Sequence, residues 1–195
     1  MGRSIKRNVA NLMNFSGRDS RPTFWWWFLF LAIIYIVISI AMSAVFLAPV
    51  MAEAMQAGMD SSAGEEVALQ NMDSMFEATT QLSWAGLLLA AIFTFLLAGS
   101  FTRRLHDAGF SGVWAVVTFG IYFASAITSV VMLPAILESA RALSADGNPN
   151  AFLEAQGEYL WISLLGYVPI ILVIVFGVWP PTEGPNKYGE ATTAH

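Results

Sequence analysis

The residues of this chain that are equipped for chemistry are gathered in three short polar segments, at 15–21, 103–107 and 185–189. The second segment places His106 beside Asp107, the residue types of a general base and its carboxylate partner. Adjacent residues on a helix do not face each other, so a direct His–Asp dyad is not expected. The sequence offers no third residue that would complete a nucleophile–base arrangement. It therefore favours a charged, non-catalytic site, and an enzyme that uses His106 stays an alternative.

Arginine is the dominant residue type in the first two polar segments. Its planar guanidinium offers paired donors that match a carboxylate or a phosphate. Four arginines and two aspartates leave a surplus of positive charge, and residues of the third segment can close the site. We predict that the three segments meet in a cap, where they bind each other's charges or an anionic lipid headgroup. The predicted cap consists of Arg18, Asp19, Arg21, Arg103, Arg104, His106, Asp107, Asn186 and Tyr188.

Metal and cofactor chemistry has little support in the sequence. The chain contains no cysteine. Met51, Met55 and Met59 recur at helical spacing and carry soft thioethers that would suit Cu(I). No His or Cys accompanies them, and methionine more often packs adaptably against neighbouring helices. We therefore predict no metal site and no cofactor.

The elements that must position the cap are apolar helices. Hydrophobic residues make up 56% of the 195 residues and charged residues only 12%, too few charges to cover a soluble surface. Four apolar runs, at 24–47, 82–101, 113–137 and 159–179, contain no ionisable Asp, Glu, Lys, Arg or His. Each is long enough to span a bilayer, where the backbone must form helices. The predicted fold is an all-α polytopic membrane protein, with four transmembrane helices in one bundle, and not a nucleic-acid binder.

Three regions follow from these runs. Residues 1–23 form an N-terminal segment, residues 24–179 the four-helix membrane domain, and residues 180–195 a tail. One helical face of the basic N-terminal segment is apolar and consists of Ile5, Val9, Leu12 and Met13. This pattern predicts a short amphipathic helix that lies on the cytoplasmic membrane interface. Pro169 is expected to kink the fourth helix. All seven tryptophans lie near predicted helix ends, as interfacial anchors do: Trp25, Trp26, Trp27, Trp84, Trp114, Trp161 and Trp179.

The loops between the runs contain local signals of their own. The first outer loop, 48–81, has the capping-box pattern Ser62-Ala63-Gly64-Glu65, which predicts the start of a helix. The second outer loop is predicted to turn at residues 146–149, where the sequence is Asp-Gly-Asn-Pro.

The distribution of charge predicts the orientation. Of the nine basic residues, only Arg141 lies in the two outer loops, which hold ten of the fourteen acids. Short loops rich in Lys and Arg stay in the cytoplasm. Both termini are therefore expected in the cytoplasm.

Three ordered motifs resemble a known family. They are Phe-Ser-Gly-Arg at 15–18 with Ser20-Arg21 and Trp25, then Arg-Arg-Leu-His-Asp at 103–107 with Gly109, Ser111-Gly112 and Trp114, and finally Pro-Asn-Lys-Tyr-Gly at 185–189. The pattern is similar to that of the YhaH-like bacterial inner-membrane proteins, catalogued as domain of unknown function 805. The resemblance implies a small polytopic inner-membrane protein and no particular reaction. Two features depart from the family pattern. Val113 stands where the family often has an aromatic residue, and the outer loops are longer than is typical.

The function expected from these observations is a non-catalytic structural, regulatory or lipid-interacting module. Its expected partners are membrane lipids, including anionic headgroups, together with a protein partner or a second copy of the chain. A small transporter or channel subunit is the main alternative. The absence of ionisable residues from the predicted spans argues against an ion-driven pump.

Overall fold

A computed structural model of the chain describes residues 1–59, 65–145, 150, 153–154, 157 and 160–191. This part is all-helical, apart from an isolated bridge between Asn186 and Gly189. Four features of the sequence lie outside the described residues: most of the predicted capping box, the predicted turn at 146–149, the start of the fourth run at 159 and the end of the tail at 192–195. The helices are α1 (Gly2–Ala10), α2 (Arg21–Met59), α3 (Glu65–Asp107), α4 (Val113–Ala145), α5 (Leu160–Leu165) and α6 (Val168–Val178).

Three of these helices are long and apolar enough to cross a membrane. The candidate spans are Arg21–Met59, Gln70–Asp107 and Val113–Ser139, with mean hydropathies of 2.7, 2.0 and 2.0. At most 17% of the most apolar window of each helix is buried inside the protein, so most of its apolar surface faces outward, as lipid contact requires. The prediction of an all-α polytopic membrane protein is confirmed.

The fourth apolar run does not form one long helix, and the predicted count of four spanning helices is therefore not confirmed. This run is divided into α5 and α6, which are separated by a turn at Gly166 and Tyr167. Pro169 lies in the first turn of α6, where its missing N–H needs no helical partner. The proline thus begins a new helix where a kink was expected.

The three long helices extend past the apolar runs. Helix α2 continues to Met59, α3 already begins at Glu65, and α4 continues to Ala145. The added segments are rich in Ala, Met, Glu and Gln, which are good helix formers. Beyond the apolar part, Arg141 forms an ion pair with Asp73 and lies 4.4 Å from the ring centroid of Phe76. The parts of α3 and α4 beyond the apolar runs are thereby joined.

The buried core lies at one end of the bundle. Three phenylalanines, Phe24, Phe101 and Phe176, meet there. The ring centroid of Phe101 lies 6.0 Å from that of Phe24 and 6.4 Å from that of Phe176. Leu105 and Val173 complete the packing between α2, α3 and α6. The polar segments described below lie directly against this aromatic core.

Two of the three consecutive tryptophans point into the protein, in contrast to the expected interfacial anchoring of all three. The indole N–H of Trp25 donates to the Gly177 carbonyl at 3.2 Å, and that of Trp27 donates to the Leu96 carbonyl at 3.2 Å. Trp26 is 41% exposed. The inward pair is stabilised because neighbouring helices supply the acceptor that a buried indole needs.

Candidate functional site

The carboxylate of Asp19 is one centre of the predicted cap. It is buried, and its Oδ2 accepts from Arg103 Nε and from Ser100 Oγ, both at 3.0 Å. The backbone N–H of Asp19 donates to the Arg103 carbonyl at 3.1 Å. Its Oδ1 lies 3.1 Å from Arg7 Nη2, an ion pair without hydrogen-bond geometry. The segment before α2 is therefore fixed to the end of α3.

Arg103 extends this link to α1. Its Nη2 donates to Asn8 Oδ1 at 2.6 Å, and its Nη1 donates to the carbonyls of Asn11, at 3.0 Å, and Asn14. These acceptors lie in the last turn of α1 and the segment that follows it. One guanidinium thus holds the last turn of α1 and the segment after it against the end of α3. The inward face of α1 is consequently polar, with Asn8 at its centre.

Asp107 is the second centre and is shared by two arginines. Arg18 Nε lies 3.0 Å from its Oδ1, and Arg104 Nη1 lies 2.7 Å from its Oδ2. All three side chains are 1% exposed or less. Charge-assisted bonds of this kind are stronger than neutral ones. The pair of arginines therefore joins the first polar segment to the end of α3 through one carboxylate.

The remaining donors of these arginines hold the last turn of α6 and the segment that follows it. Arg18 donates to the carbonyls of Thr182 at 2.9 Å and Gly184 at 2.8 Å. Arg104 donates to the carbonyls of Gly177, at 3.1 Å, and Trp179. The start of the tail is thus bound to the same end of the bundle as α1.

His106 is engaged by the tail and by the turn before α2. Its ring stacks on Tyr188 with centroids 3.7 Å apart and planes 4° apart. Its Nδ1 lies 3.3 Å from the Gly17 carbonyl, and its own carbonyl accepts from Asn186 Nδ2 at 3.0 Å. The backbone of Gly17 has a φ of 91°, a conformation that favours glycine. This arrangement uses His106 as a packing and hydrogen-bonding residue.

The charged groups of the site pair with one another, three arginines with two aspartates. Every nitrogen of the Arg18, Arg103 and Arg104 guanidiniums has an acceptor, and their side chains are 1%, 3% and 0% exposed. Burying charges is costly unless they are paired and hydrogen-bonded, and the three guanidiniums meet this condition, whereas Asp19 Oδ1 has the Arg7 ion pair alone. Among the described residues, no group of three or more His, Asp or Glu side chains is placed to hold a metal ion.

Comparison with known proteins adds one result. Residues 12–190 match the family described as Protein of unknown function (DUF805). The chain belongs to the DUF805 family. No curated protein and no solved structure matches it. The matched region of this DUF805 protein contains all nine residues of the predicted cap, whereas α1 precedes it.

The structure brings eight of the nine predicted cap residues of the DUF805 protein together. Arg21 is the exception, since it is the first residue of α2, is exposed, and has no partner in the described part of the chain. The three polar segments meet at one end of the bundle, as the sequence predicts. Their charges are paired with each other.

Sequence reasoning missed Asn8, Ser100 and Thr182 as members of the cap. Asn8 accepts from Arg103, Ser100 donates to Asp19, and the Thr182 N–H donates to the Asp107 carbonyl at 2.9 Å. A signal existed for Ser100, which lies one helical turn before Arg103 and Arg104. No comparable local signal singles out Asn8 or Thr182.

Proposed function

We propose that this DUF805 protein is a non-catalytic, lipid-interacting module of the bacterial inner membrane, in which the cap holds α1 and the tail against the cytoplasmic surface. The observation that carries the proposal is the pairing of every nitrogen of the three buried guanidiniums with aspartates and with oxygen atoms of α1, the segment after it, the end of α6 and the tail. A site built in this way holds segments of the chain in place. His106, stacked on Tyr188, fits the same role.

The orientation belongs to the proposal. The end of the bundle that carries the cap also carries eight of the nine basic residues, and such surfaces stay in the cytoplasm. Residues near both termini lie at this end. Helices α5 and α6 return the chain to it, since the carbonyls of Gly177 and Trp179 reach Arg104. Together they are proposed as the fourth crossing of the membrane.

The outer face of α1 supports contact with lipid. Val9 is 55% exposed and Met13, just beyond the helix, is 69% exposed, while Asn8 faces the cap. Arg3 and Lys6 are also exposed. An apolar face flanked by cations is typical of helices that lie in the interface of an anionic membrane. The cap thus turns the polar face of α1 inward and leaves its apolar face for the bilayer.

Single-cysteine labelling tests this proposal, because the chain has no cysteine of its own. A polarity-sensitive fluorophore is attached to the full chain at Val9→Cys or, as a control on the same helix, at Lys6→Cys. In nanodiscs of phosphatidylglycerol and phosphatidylcholine, we expect blue-shifted emission at position 9 and water-like emission at position 6. Equal, water-like emission at both positions would contradict the proposal.

A second variant links this readout to the cap. Asp19→Asn removes the charge that pairs with Arg103, and we expect the Val9 probe to shift toward water-like emission. Glu183→Gln removes an exposed acid from the tail and serves as the matched control. An unchanged Val9 signal in Asp19→Asn would show that α1 binds the membrane without the cap.

A small transporter or channel subunit is the second candidate, favoured by one observation. A cavity of about 580 Å³ lies between α2, α3, α4 and α6, beside the break before Pro169. Interrupted helices line substrate sites in many transporters. The cavity walls are mainly aromatic and aliphatic, however, with Thr94 and Thr118 as polar members. Solute flux in proteoliposomes that is abolished by Thr118→Leu would favour this candidate over the module.

A further inference from the structure

A groove beside the cap lies between α1, the start of α2 and the tail, and Arg18 and Tyr188 of the cap form part of its wall. It has a volume of about 710 Å³. Arg3 and Arg7 line it from α1, and Ser20, Thr23 and Trp26 line it from the segment that begins α2. The groove therefore combines cations, hydroxyls and an indole at the boundary between the cap and the first apolar run.

Arg7 is positioned for a ligand that the protein itself does not supply. Its Nη2 is held by the Arg18 carbonyl at 3.0 Å and by Asp19 at 3.1 Å. Its Nε and Nη1 have no partner in the described part of the chain, and its side chain is 52% exposed. The guanidinium is thus fixed at one end and retains free donors at the other. Because the guanidinium is already oriented, the entropic cost of binding an anion is smaller.

Arg3 adds a second free cation one helical turn before Arg7, on the same face of α1. It is exposed, and no described residue pairs with it. The hydroxyls of Ser20 and Thr23 lie 3.0 Å apart and share one hydrogen bond, so one hydroxyl hydrogen is left to donate. Two guanidiniums and a hydroxyl match the acceptor oxygens of a phosphate diester.

The remaining walls restrict the ligand further. Trp26 is 41% exposed and lies one turn beyond Thr23, where the apolar run begins. An indole at this level packs against the region between headgroups and acyl chains. Glu190 lines the groove from the tail, and its carboxylate can accept from hydroxyls of a headgroup. A ligand with a phosphate between headgroup hydroxyls on one side and acyl chains on the other is a glycerophospholipid.

We propose that this groove binds the phosphate of an anionic glycerophospholipid of the phosphatidylglycerol type, with Arg3 and Arg7 as its donors. The proposal rests on the lipid-interacting function above and names the lipid and its site. Net positive charge on this end of the bundle favours an anionic headgroup over a zwitterionic one.

Native mass spectrometry of the full chain in detergent tests the site. Phosphatidylglycerol, phosphatidylethanolamine and phosphatidylcholine of identical acyl chains are titrated against the wild type and Arg3→Gln. Arg3 is used because it has no bond in the cap. We expect the wild type to bind phosphatidylglycerol most tightly and Arg3→Gln to weaken that binding about tenfold, as expected for the loss of a charge-assisted bond. Lys6→Gln, which removes the same charge from the same helix outside the groove, is expected to leave the affinity within about twofold.

Three outcomes overturn the proposal. Equal losses in Arg3→Gln and Lys6→Gln would show attraction to net charge without a site. Equal or tighter binding of either zwitterionic lipid would show that the headgroup charge is not recognised. Displacement of phosphatidylglycerol by an equal concentration of inorganic phosphate would identify the site as one for a soluble phosphate.

The result is also separable from the function proposed above. The Val9 probe reports whether α1 lies in the membrane, whereas the lipid titration reports on Arg3. Lipid-like emission at Val9 with no effect of Arg3→Gln would overturn the proposed lipid site in the groove and support the proposed lipid-interacting module. Water-like emission at Val9 with a selective effect of Arg3→Gln would support the lipid site and overturn the proposed membrane contact of α1.

Discussion

At the scale of single residues, the cap depends on two carboxylates that pair with three buried guanidiniums and leave one positive charge in excess. Asp107 contacts Arg18 and Arg104, and Asp19 contacts Arg103. Each arginine also donates to backbone carbonyls, so the loss of one charge affects several segments at once. Buried networks of this kind are stable when complete and unfavourable when one member is removed.

Asp107→Asn is therefore expected to destabilise the protein strongly. An amide leaves two buried cations without their counter-charge, and breaking a buried pair costs about 3–5 kcal/mol. The free energy of unfolding in mixed micelles, obtained by denaturant titration, measures the loss. Glu183→Gln, an exposed acid in the tail, is expected to change it by less than about 0.5 kcal/mol. Similar losses in the two variants would mean that Asp107 is not a centre of the network.

Arg104→Lys tests the geometry of the guanidinium at constant charge. Lysine has one nitrogen and cannot reach Asp107, the Gly177 carbonyl and the Trp179 carbonyl together. The buried acceptors left unpaired are expected to cost about 1–3 kcal/mol. We expect faster proteolysis after Trp179, measured by limited digestion in micelles. Arg21 is exposed and lies outside the cap, so Arg21→Lys is expected to be digested at the wild-type rate. A wild-type rate of digestion in Arg104→Lys would contradict the hydrogen bonds assigned to Arg104.

At the scale of elements, the docking of α1 depends on a close approach to α3. A Cβ atom at Gly99 would lie 2.6 Å from the Leu12 carbonyl oxygen and 3.2 Å from Arg103 Nη1. The first contact is with backbone, which cannot move aside as the end of a side chain can. Glycine at this position thus allows the segment after α1 to lie against α3.

Gly99→Ala is accordingly expected to displace α1 and to destabilise the protein by about 1–3 kcal/mol, the usual range for overpacking. Gly86→Ala is the control on the same helix, because a Cβ there meets nothing within 4 Å. Alanine at position 86 should be neutral or stabilising, by up to about 1 kcal/mol. The unfolding free energy and the emission of the Val9 probe measure both variants. Equal behaviour of the two would argue against close packing at Gly99.

At the scale of the whole molecule, the arrangement of charge and the position of the cap lead to one topology. We expect reporter fusions after Gly64 and after Asn148, which lie outside the described residues, to read as exported. Fusions after Phe110 and at His195 should read as cytoplasmic. Activity of a periplasmic reporter such as alkaline phosphatase, compared with a cytoplasmic fluorescent protein at the same sites, gives the measurement. A cytoplasmic reading at Gly64 would refute the proposed orientation, and an exported reading at His195 would refute the fourth crossing by α5 and α6.

The sequence by itself determined the membrane class, the all-helical fold and the segments from which the cap is built. These properties follow from local patterns, because the length of an apolar run and the absence of charge within it require a helix in lipid. The composition of the three polar segments likewise indicated paired charges, and the family match agrees with the motifs that they contain.

Only the tertiary structure decided which charges pair. Arg103 and Asp19 are 84 positions apart, and Arg18 and Asp107 are 89 positions apart, so no local pattern specifies either bond. The same holds for the exclusion of Arg21, the inward direction of Trp25 and Trp27, and the inclusion of Asn8. Each depends on which acceptor a neighbouring helix presents after packing, and a buried donor or charge is stable only where that acceptor exists.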